Sequence, residues 1–571
     1  MCGIYGITAN DPKFIEDYIE ICKHRGPDGS NIYATDDVTL GHNLLSIMSD
    51  PDKSQQPWLT PKGNRLVYNG EIFNYEELVK RHKKFKDTTG CDTELLAWGL
   101  DTYGLDFIDE IDSMHGFAYY QLDEKTITLS RDHAGIKPLY YAQIDQGLVF
   151  ASEIKGMLDI VPEARTLDNL ACSMMTKAGT NPLRNTLFTN IKKLLPGETL
   201  VYDIDKKTID SAKRIYMKPN ANKDFSKNEL KEMFAKAVRR CSIGKRKIGV
   251  FLSGGLDSTI VAYELKNIKN TVYSFTNKMV PETEAPENYN SDSETAKRFA
   301  KSLEFDHHDV VMSPKEYLSA WDDSIWYQEQ PIYNPSNAMY CYTNKYLADH
   351  EIVVTLAGDM GDELFGGYPK YFKLYHSKKQ PTTWRELLEL WMQRIRKGNY
   401  PLTETPEEDE VLLDELEKCY GDELWNPNDP TASYMALDCV AQVPDCFLAR
   451  NDNYGMAYGM EGRFPLASKE FMQYCLDIKT KHKFKGGTTK TLVKEAYRKF
   501  LPDYIIYKKK TGWTVPIGYW IMDNVDKELN DVYDKAIGAD RLKLVGRSQK
   551  IGKRLIPEWQ IKSWKEKYRI K

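Results

Sequence analysis

The sequence changes texture once, and that change constrains the architecture more than any other feature. Up to about residue 210 it runs as short segments in which apolar and polar residues alternate, among them NRLVYNGEIFN, FAYYQLD, TITLSRD and ETLVYDID, punctuated by Gly, Asp and Asn. A period of two marks strands that bury one face, so this part is predicted to be sheet-rich with helical cover. Helices are expected at about Tyr75 to Phe85 and Thr93 to Tyr103. From about Ser226 the strands become brief apolar runs, KIGVFL, TVYSFT and EIVVTLAG, set between helical stretches. Runs apolar on both faces belong to a parallel sheet with helices on either side. The chain therefore reads as α/β in two domains, 1–210 and 229–571, joined by a polar linker at 211–228. At 571 residues it is also too long for one core.

Composition excludes several classes. With 78 Lys and Arg against 83 Asp and Glu, the net charge of -5 offers no footprint for nucleic acid or an anionic membrane. The N-terminus carries Asp11 and Glu16 in place of a basic and apolar leader, and no apolar run is long enough for a membrane span, so a cytoplasmic protein is expected. The ten cysteines form no CxxC pair or zinc-like cluster, and most are expected to be buried thiols, Cys2 being judged apart. In WRELLELWMQRIRKG, Leu387, Leu388, Trp391 and Ile395 share one stripe, the pattern of a core helix.

KIGVFLSGGLDST is an apolar strand entering a glycine-rich turn that opens a helix near Ser258. Backbone N–H groups at such a turn bind anions, Gly254 and Gly255 admit a phosphate to the main chain, and the Ser253 and Ser258 hydroxyls add donors. The lysine of a Walker A loop is missing and the spacing is not GxGxxG. Asp257 is acidic where polyphosphate would sit, which suits a bridging Mg²⁺. These residues resemble the SGG-x-D-S loop of the ATP pyrophosphatases. A second acidic loop, GDMGDELFGGY, brings Asp359, Asp362 and Glu363 close together, costly neighbours without a cation, and suggests a second hold on Mg²⁺-pyrophosphate. The lysines of YKKKTGWTVP could stabilise phosphate charge.

The first residues, MCGIYG, place a thiol beside a terminal amine once Met1 is trimmed, and that amine can act as base to a Cys2 nucleophile. Asn69 and the Gly70 N–H could hold an oxyanion, and Glu71 and Asp92 a substrate ammonium. With HRGPDG, NGEIFNY and TGCDTELL, this part resembles the class II, N-terminal-nucleophile glutamine amidotransferases. Followed in order by RDHAGIKPLYY, ASEIK, LPGE, SGGLDS, GDELFGGY, GMEGRFP and KKKTGW, it resembles the glutamine-hydrolysing asparagine synthetases over nearly the whole chain.

That resemblance implies an αββα sandwich for the glutaminase and an α/β pyrophosphatase domain for the synthetase. It implies that Cys2 forms a glutamyl thioester and releases ammonia into an internal tunnel, while ATP adenylates the aspartate β-carboxylate and asparagine, AMP and pyrophosphate leave. By motif position, Ser253, Gly254, Gly255, Asp257 and Ser258 form the pyrophosphate loop, Asp257 and Asp362 face Mg²⁺, and Phe251, Ser274 and Gly358 line the adenosine pocket. Lys510 matches the lysine that stabilises adenylation, Asp359 an acid of the amide-forming step, and Ile47 joins Asn69, Glu71 and Asp92 around glutamine. Family members are often dimers through the glutaminase domain, so a homodimer is an expectation here.

Two departures stand out. The family usually has HxRLSI where this chain has HNLLSI, so Leu44 replaces the arginine that pairs with the glutamine α-carboxylate. Losing one charge-assisted bond costs about 1.5 to 3 kcal/mol, roughly ten- to a hundredfold in affinity, unless Arg65 or Lys62 compensates. Glutamine is thus expected to be a poor donor, with free ammonia supporting much of the reaction. The segment YQEQPIYNPSNAMYCY, with Glu329, Gln330, Pro331 and Asn334, lacks a clear arginine for the aspartate α-carboxylate. An amidotransferase acting on another carboxylic acid, and a sensor that keeps the fold without catalysis, therefore remain open.

Overall fold

The computed structural model describes residues 2–280, 289–331, 334, 336–393, 402–509, 515 and 560–571. The N-terminal part is two six-stranded antiparallel sheets face to face. One runs in the order Lys192–Lys193, Tyr140–Ile144, Gly147–Ala151, Cys2–Ile7, Thr39–Leu44, Gly29–Ala34. The other runs Thr208–Arg214, Glu198–Asp203, Thr126–Arg131, Ser113–Gln121, Arg65–Ile72, Trp58–Leu59. Alternation sorts the side chains. Ile4, Leu40, Val67, Leu129 and Phe150 meet between the sheets. Tyr5 and Ile7, one residue out of phase, pack outward on Ile15 and Tyr18 of the helix Pro12–Ile21, which Asp11 caps. On the far side Leu66, Tyr68 and Ile72 bury Leu95, Leu96 and Leu100 of the helix Asp92–Tyr103. This is the expected αββα sandwich. Its last strand ends at Arg214, and the first helix beyond it is Lys227–Cys241, capped by Ser226.

The second part holds a five-stranded, wholly parallel sheet in the order Asp306–Met312, Tyr273–Met279, Ile248–Phe251, Val354–Leu356, Glu461–Arg463. The chain lays three strands outward on one side and then returns to lay two on the other. The strand order reverses between Ile248–Phe251 and Val354–Leu356, so the loops leaving their carboxyl ends diverge and open a crevice there. Both acidic glycine loops leave from those two strands. The helix Trp384–Gln393 buries Leu387, Leu388 and Trp391, as its stripe requires, and Ile395 lies outside the described residues.

The two parts share one apolar cluster, in which Leu45, Ile47, Phe73 and Met114 of the sandwich join Phe234, Val250 and Phe251. Six buried charges cross the same boundary. Arg25 lies 2.9 Å from both Glu153 and Asp452, Lys137 3.0 Å from Asp452, and Lys155 contacts Glu153 and, at 3.5 Å, Glu329. Three cations thus face three anions, each side chain at most 1% exposed, as burial of charge demands. Glu329 also accepts the N–H groups of Ile154 and Lys155, so it is a latch between the parts. No described helix is long and apolar enough to cross a membrane, and all ten cysteines are free thiols.

Candidate active sites

Cys2 starts the first strand, directly opposite Leu44 on the neighbouring strand. Cys2 N donates to Asn69 Oδ1 at 3.1 Å, and Arg25 Nε donates to the Cys2 carbonyl at 3.2 Å. Asn69 is wholly buried and its Nδ2 has no hydrogen-bond partner among the described residues, although Asn69 is not among the residues lining the pocket at Cys2. Asp92, first in its helix, accepts from Tyr68 Oη at 3.1 Å and Ile72 N at 3.0 Å. Glu71 Oε2 lies 3.0 Å from Arg463 Nη2. Burial pushes the carboxyls of Glu71 and Asp92 up, and it pushes the Cys2 thiol up as well, so a nucleophilic role for Cys2 would require a base.

Beside Cys2 is a small pocket with about 30 Å³ of space for water centres, far smaller than the second site described below. Leu44, Leu45, Ile47, Met48, Gly70, Glu71 and Asp92 are among its lining residues, and none of the lining residues is Lys or Arg. Neither cation named as a substitute reaches it. Arg65 stacks on Tyr33, 4.3 Å from the ring centre, and donates to the Gly63 and Asn64 carbonyls, and Lys62 is absent from the lining.

The second site is a cavity of about 440 Å³ in the crevice of the parallel sheet. Phe251, Ser253, Gly255, Asp257, Ser258, Gly358, Asp359 and Asp362 all line it. Gly254 supplies the left-handed bend of the first loop, φ +69°, and the Ser253 and Ser258 hydroxyls hold each other at 2.9 Å. The helix Leu256–Lys266 then points its N-terminus at the cavity, as an anion site requires. The two loops touch: a Cβ at Gly361 would lie 2.5 Å from Asp257 Cγ, so only glycine lets the carboxylates approach. Ser274 does not belong with this set. It is wholly buried in the neighbouring strand, its hydroxyl is 2.9 Å from His307 Nδ1, and it does not line the cavity. Lys510 lies outside the described residues, while Lys508, 2.6 Å from Asp292, and Lys509 are on the wall.

Lys490 is the residue the motifs do not announce. Its ammonium sits between Asp257 and Asp362, 2.7 Å from the latter, and both carboxylates raise its affinity for the proton against the cost of burial. It lies 233 residues from Asp257 in a segment, GGTTKTLVK, that reads as an ordinary lysine-containing turn. Arg450 and Tyr340 on the same wall were equally silent. Burial pushes the Asp359 carboxyl up, with Arg450 pulling against it.

These two sites agree with what the chain is similar to. The model of the family described as asparagine synthase matches residues 229–565, and that of the glutamine amidotransferase domain matches residues 1–216. Asparagine synthetase [glutamine-hydrolyzing] 1 of Bacillus subtilis is 25% identical over 94% of this chain and 90% of its own. Asparagine synthetase [glutamine-hydrolyzing] 3 of the same organism is 25% identical over 100% of this chain and 99% of its own. Asparagine synthetase B [glutamine-hydrolyzing] of Escherichia coli is 25% identical over 95% and 87%. With these two models together spanning nearly the whole sequence, the chain belongs to the asparagine synthase family.

Proposed function

We propose that this protein makes asparagine from aspartate and ATP through a β-aspartyl-AMP intermediate, drawing nitrogen from glutamine at Cys2 and, in large part, from free ammonia. The observation that carries the synthetase half is the convergence of Asp257, Asp362 and Lys490 at a helix N-terminus in the switch-point crevice. Polyphosphate docks on the Ser253 to Ser258 turn, with adenosine toward Phe251 and Gly358. The aspartate β-carboxylate attacks the α-phosphorus, the bond to the bridging oxygen breaks, and pyrophosphate leaves. Ammonia then attacks the acyl carbon, loses a proton toward Asp359, and expels AMP. Lys490, and Lys510 by resemblance, offset the charge that develops on phosphate oxygens.

Asp257 and Asp362 bring hard oxygen donors to one point, now held by Lys490, and that donor set fits Mg²⁺. Among the described residues no group of three such ligands gathers, so these two carboxylates would hold the ion together with the polyphosphate. When bound, Mg²⁺ would neutralise charge on the leaving pyrophosphate.

In the first domain the Cys2 thiolate attacks the glutamine amide, the oxyanion is held by Asn69 Nδ2 and Gly70 N–H, and ammonia leaves as the thioester forms. The resemblance implies that this ammonia travels inside the molecule to the second site, whose Phe251 shares a buried apolar cluster with Leu45 and Ile47. The cation-free lining beside Leu44 supports poor retention of glutamine's carboxylate. The free thiols suit a reducing, cytoplasmic setting.

Pyrophosphate release and asparagine formation, measured with aspartate and either saturating ammonium or glutamine, test this reading. Aspartate-stimulated release with both donors, and a far higher KM for glutamine than a well-formed pocket gives, are expected. No stimulation by aspartate would overturn the synthetase reading. A micromolar glutamine KM with equal turnover would overturn the ammonia preference.

A further inference from the structure

The wall of the Cys2 pocket carries charge of one sign. Among the described residues that line it, Glu71 and Asp92 are the acids, 2% and 5% exposed, and none is Lys, Arg or His. Asp92 Oδ2 is taken by Tyr68 Oη and Ile72 N. Glu71 Oε2 faces Arg463, which lies outside the lining and is shared with Glu461. Glu71 Oε1 is buried and has no hydrogen-bond partner among the described residues. A buried acceptor left open in a pocket wall calls for a ligand that brings the donor.

An ammonium meets that demand. In an α-amino acid, however, the ammonium and the α-carboxylate share one carbon, so whatever brings the first to Glu71 and Asp92 brings the second close to them as well. Two carboxylates repel a third, and no cation in the lining offsets that repulsion or the cost of taking the charge out of water. The other lining groups do not help. Leu44, Leu45, Ile47 and Met48 are apolar, and Gln56 spends both ends of its amide on the Tyr68 main chain, at 2.6 and 3.2 Å. An uncharged amide in place of the α-carboxylate feels no such repulsion and loses far less on burial. Met48 and Gly70 are the half-buried residues of the lining, the others being buried, so a chain continuing from that amide would leave past them.

We propose that the Cys2 pocket takes an L-glutamine whose α-carboxyl is tied up in an amide, as at the N-terminus of a peptide, and releases ammonia from its side chain. The sulfur bonds to the side-chain amide carbon, the C–N bond breaks, and ammonia leaves with the thiol proton. Water then cleaves the thioester, restoring the thiol and leaving glutamate in the same amide linkage. This rests on the reading of Cys2 as the nucleophile of an amidase.

The test ranks L-glutamine, L-glutamine α-amide and L-glutaminylglycine as substrates of the full-length protein by ammonia release. Mass distinguishes the open product from the lactam that such amides form spontaneously. Both amides should exceed glutamine in kcat/KM by about tenfold or more, mainly through KM. N-acetylglutamine α-amide, which has no ammonium, should be a poor substrate. Leu44→Arg brings a cation into the lining and should narrow or reverse the ranking, and the parent's ranking carries the test if that variant does not fold. Glutamine equal to or better than either amide in the parent would overturn the inference, and so would an N-acetyl amide as good as its free-amine counterpart. Hydrolysis of none of these substrates, or hydrolysis undiminished in Cys2→Ala, would instead remove the nucleophile reading and this inference together.

Discussion

Arg463 touches both active sites. Its Nη2 lies 3.0 Å from Glu71 Oε2 in the wall of the Cys2 pocket, and its carbonyl accepts the N–H of Ala357 at 3.1 Å, next to the Gly358 and Asp359 loop of the synthetase cavity. The same guanidinium contacts Glu461 and donates to the carbonyls of Cys241 and Ile243 at 3.0 and 2.6 Å. Burial alone would push the Glu461 carboxyl up, but Arg463 beside it holds it down at about 2. The edge strand of the synthetase sheet thereby forms part of the glutaminase site.

Removing that side chain should be felt twice. Arg463→Met leaves Glu71 and Glu461 buried without their cation, a change that typically costs about 3 to 5 kcal/mol. Glutamine hydrolysis should fall, and the thermal midpoint should drop by several degrees. A variant with unchanged midpoint and unchanged hydrolysis would show that the pairing contributes nothing.

Leu44→Arg places a guanidinium directly opposite Cys2, at the position where the resemblance led an arginine to be expected. Leu44 is 2% exposed, so the longer side chain must project into the pocket, and overpacking is expected to cost about 1 to 3 kcal/mol. If glutamine is held badly for want of a carboxylate partner, its KM should fall about tenfold or more, with the ammonia-dependent rate unchanged. A folded variant with the parent's glutamine KM would mean that the pocket fails for another reason, such as its small size.

Lys490→Met deletes the cation between Asp257 and Asp362 with little loss of volume. Both carboxylates would then repel each other and the polyphosphate, so kcat for pyrophosphate release should fall about a hundred- to a thousandfold, with partial recovery in Lys490→Arg. Glutamine hydrolysis at Cys2 serves as the internal control and should persist. A fall confined to hydrolysis would place Lys490 outside the synthetase reaction.

How much of this could be read in advance depended on whether the signal was local. The sandwich and the parallel sheet were legible because period-two alternation and doubly apolar runs are written within a few residues of each strand. SGGLDS was legible for the same reason, since turn, phosphate contacts and helix start are consecutive. Lys490 was not, because nothing near it in sequence points to a partner 233 residues away. Arg463 was quoted within GMEGRFP, yet only the placement of its strand at the domain boundary brings it to Glu71. Ser274 was misplaced because it sits on the right strand of the sheet, but its hydroxyl is taken by His307 beneath the surface. Glu329 belonged to a segment read for the acceptor and turned out to latch the domains, because its αL backbone, φ 62°, turns the carboxylate toward Lys155.

The Cys2 site also carries a sign for its pH dependence. Glu71 and Asp92 are pushed above the ordinary carboxyl range by burial, so on acidification they are neutralised earlier than exposed acids and lose their hold on a substrate ammonium. The Cys2 thiol is pushed up by the same burial, so the thiolate becomes more accessible as pH rises. Both effects act in one direction: kcat/KM for glutamine hydrolysis should climb from about pH 6 to about pH 9, the acid limb appearing mainly in KM and the alkaline limb in kcat. Glu71→Gln removes one of the two titrating carboxyls and should shrink the KM limb to the part that Asp92 supplies, while leaving the kcat limb. A profile that falls across this range, or a KM limb unchanged in Glu71→Gln, would mean that another group governs glutamine binding.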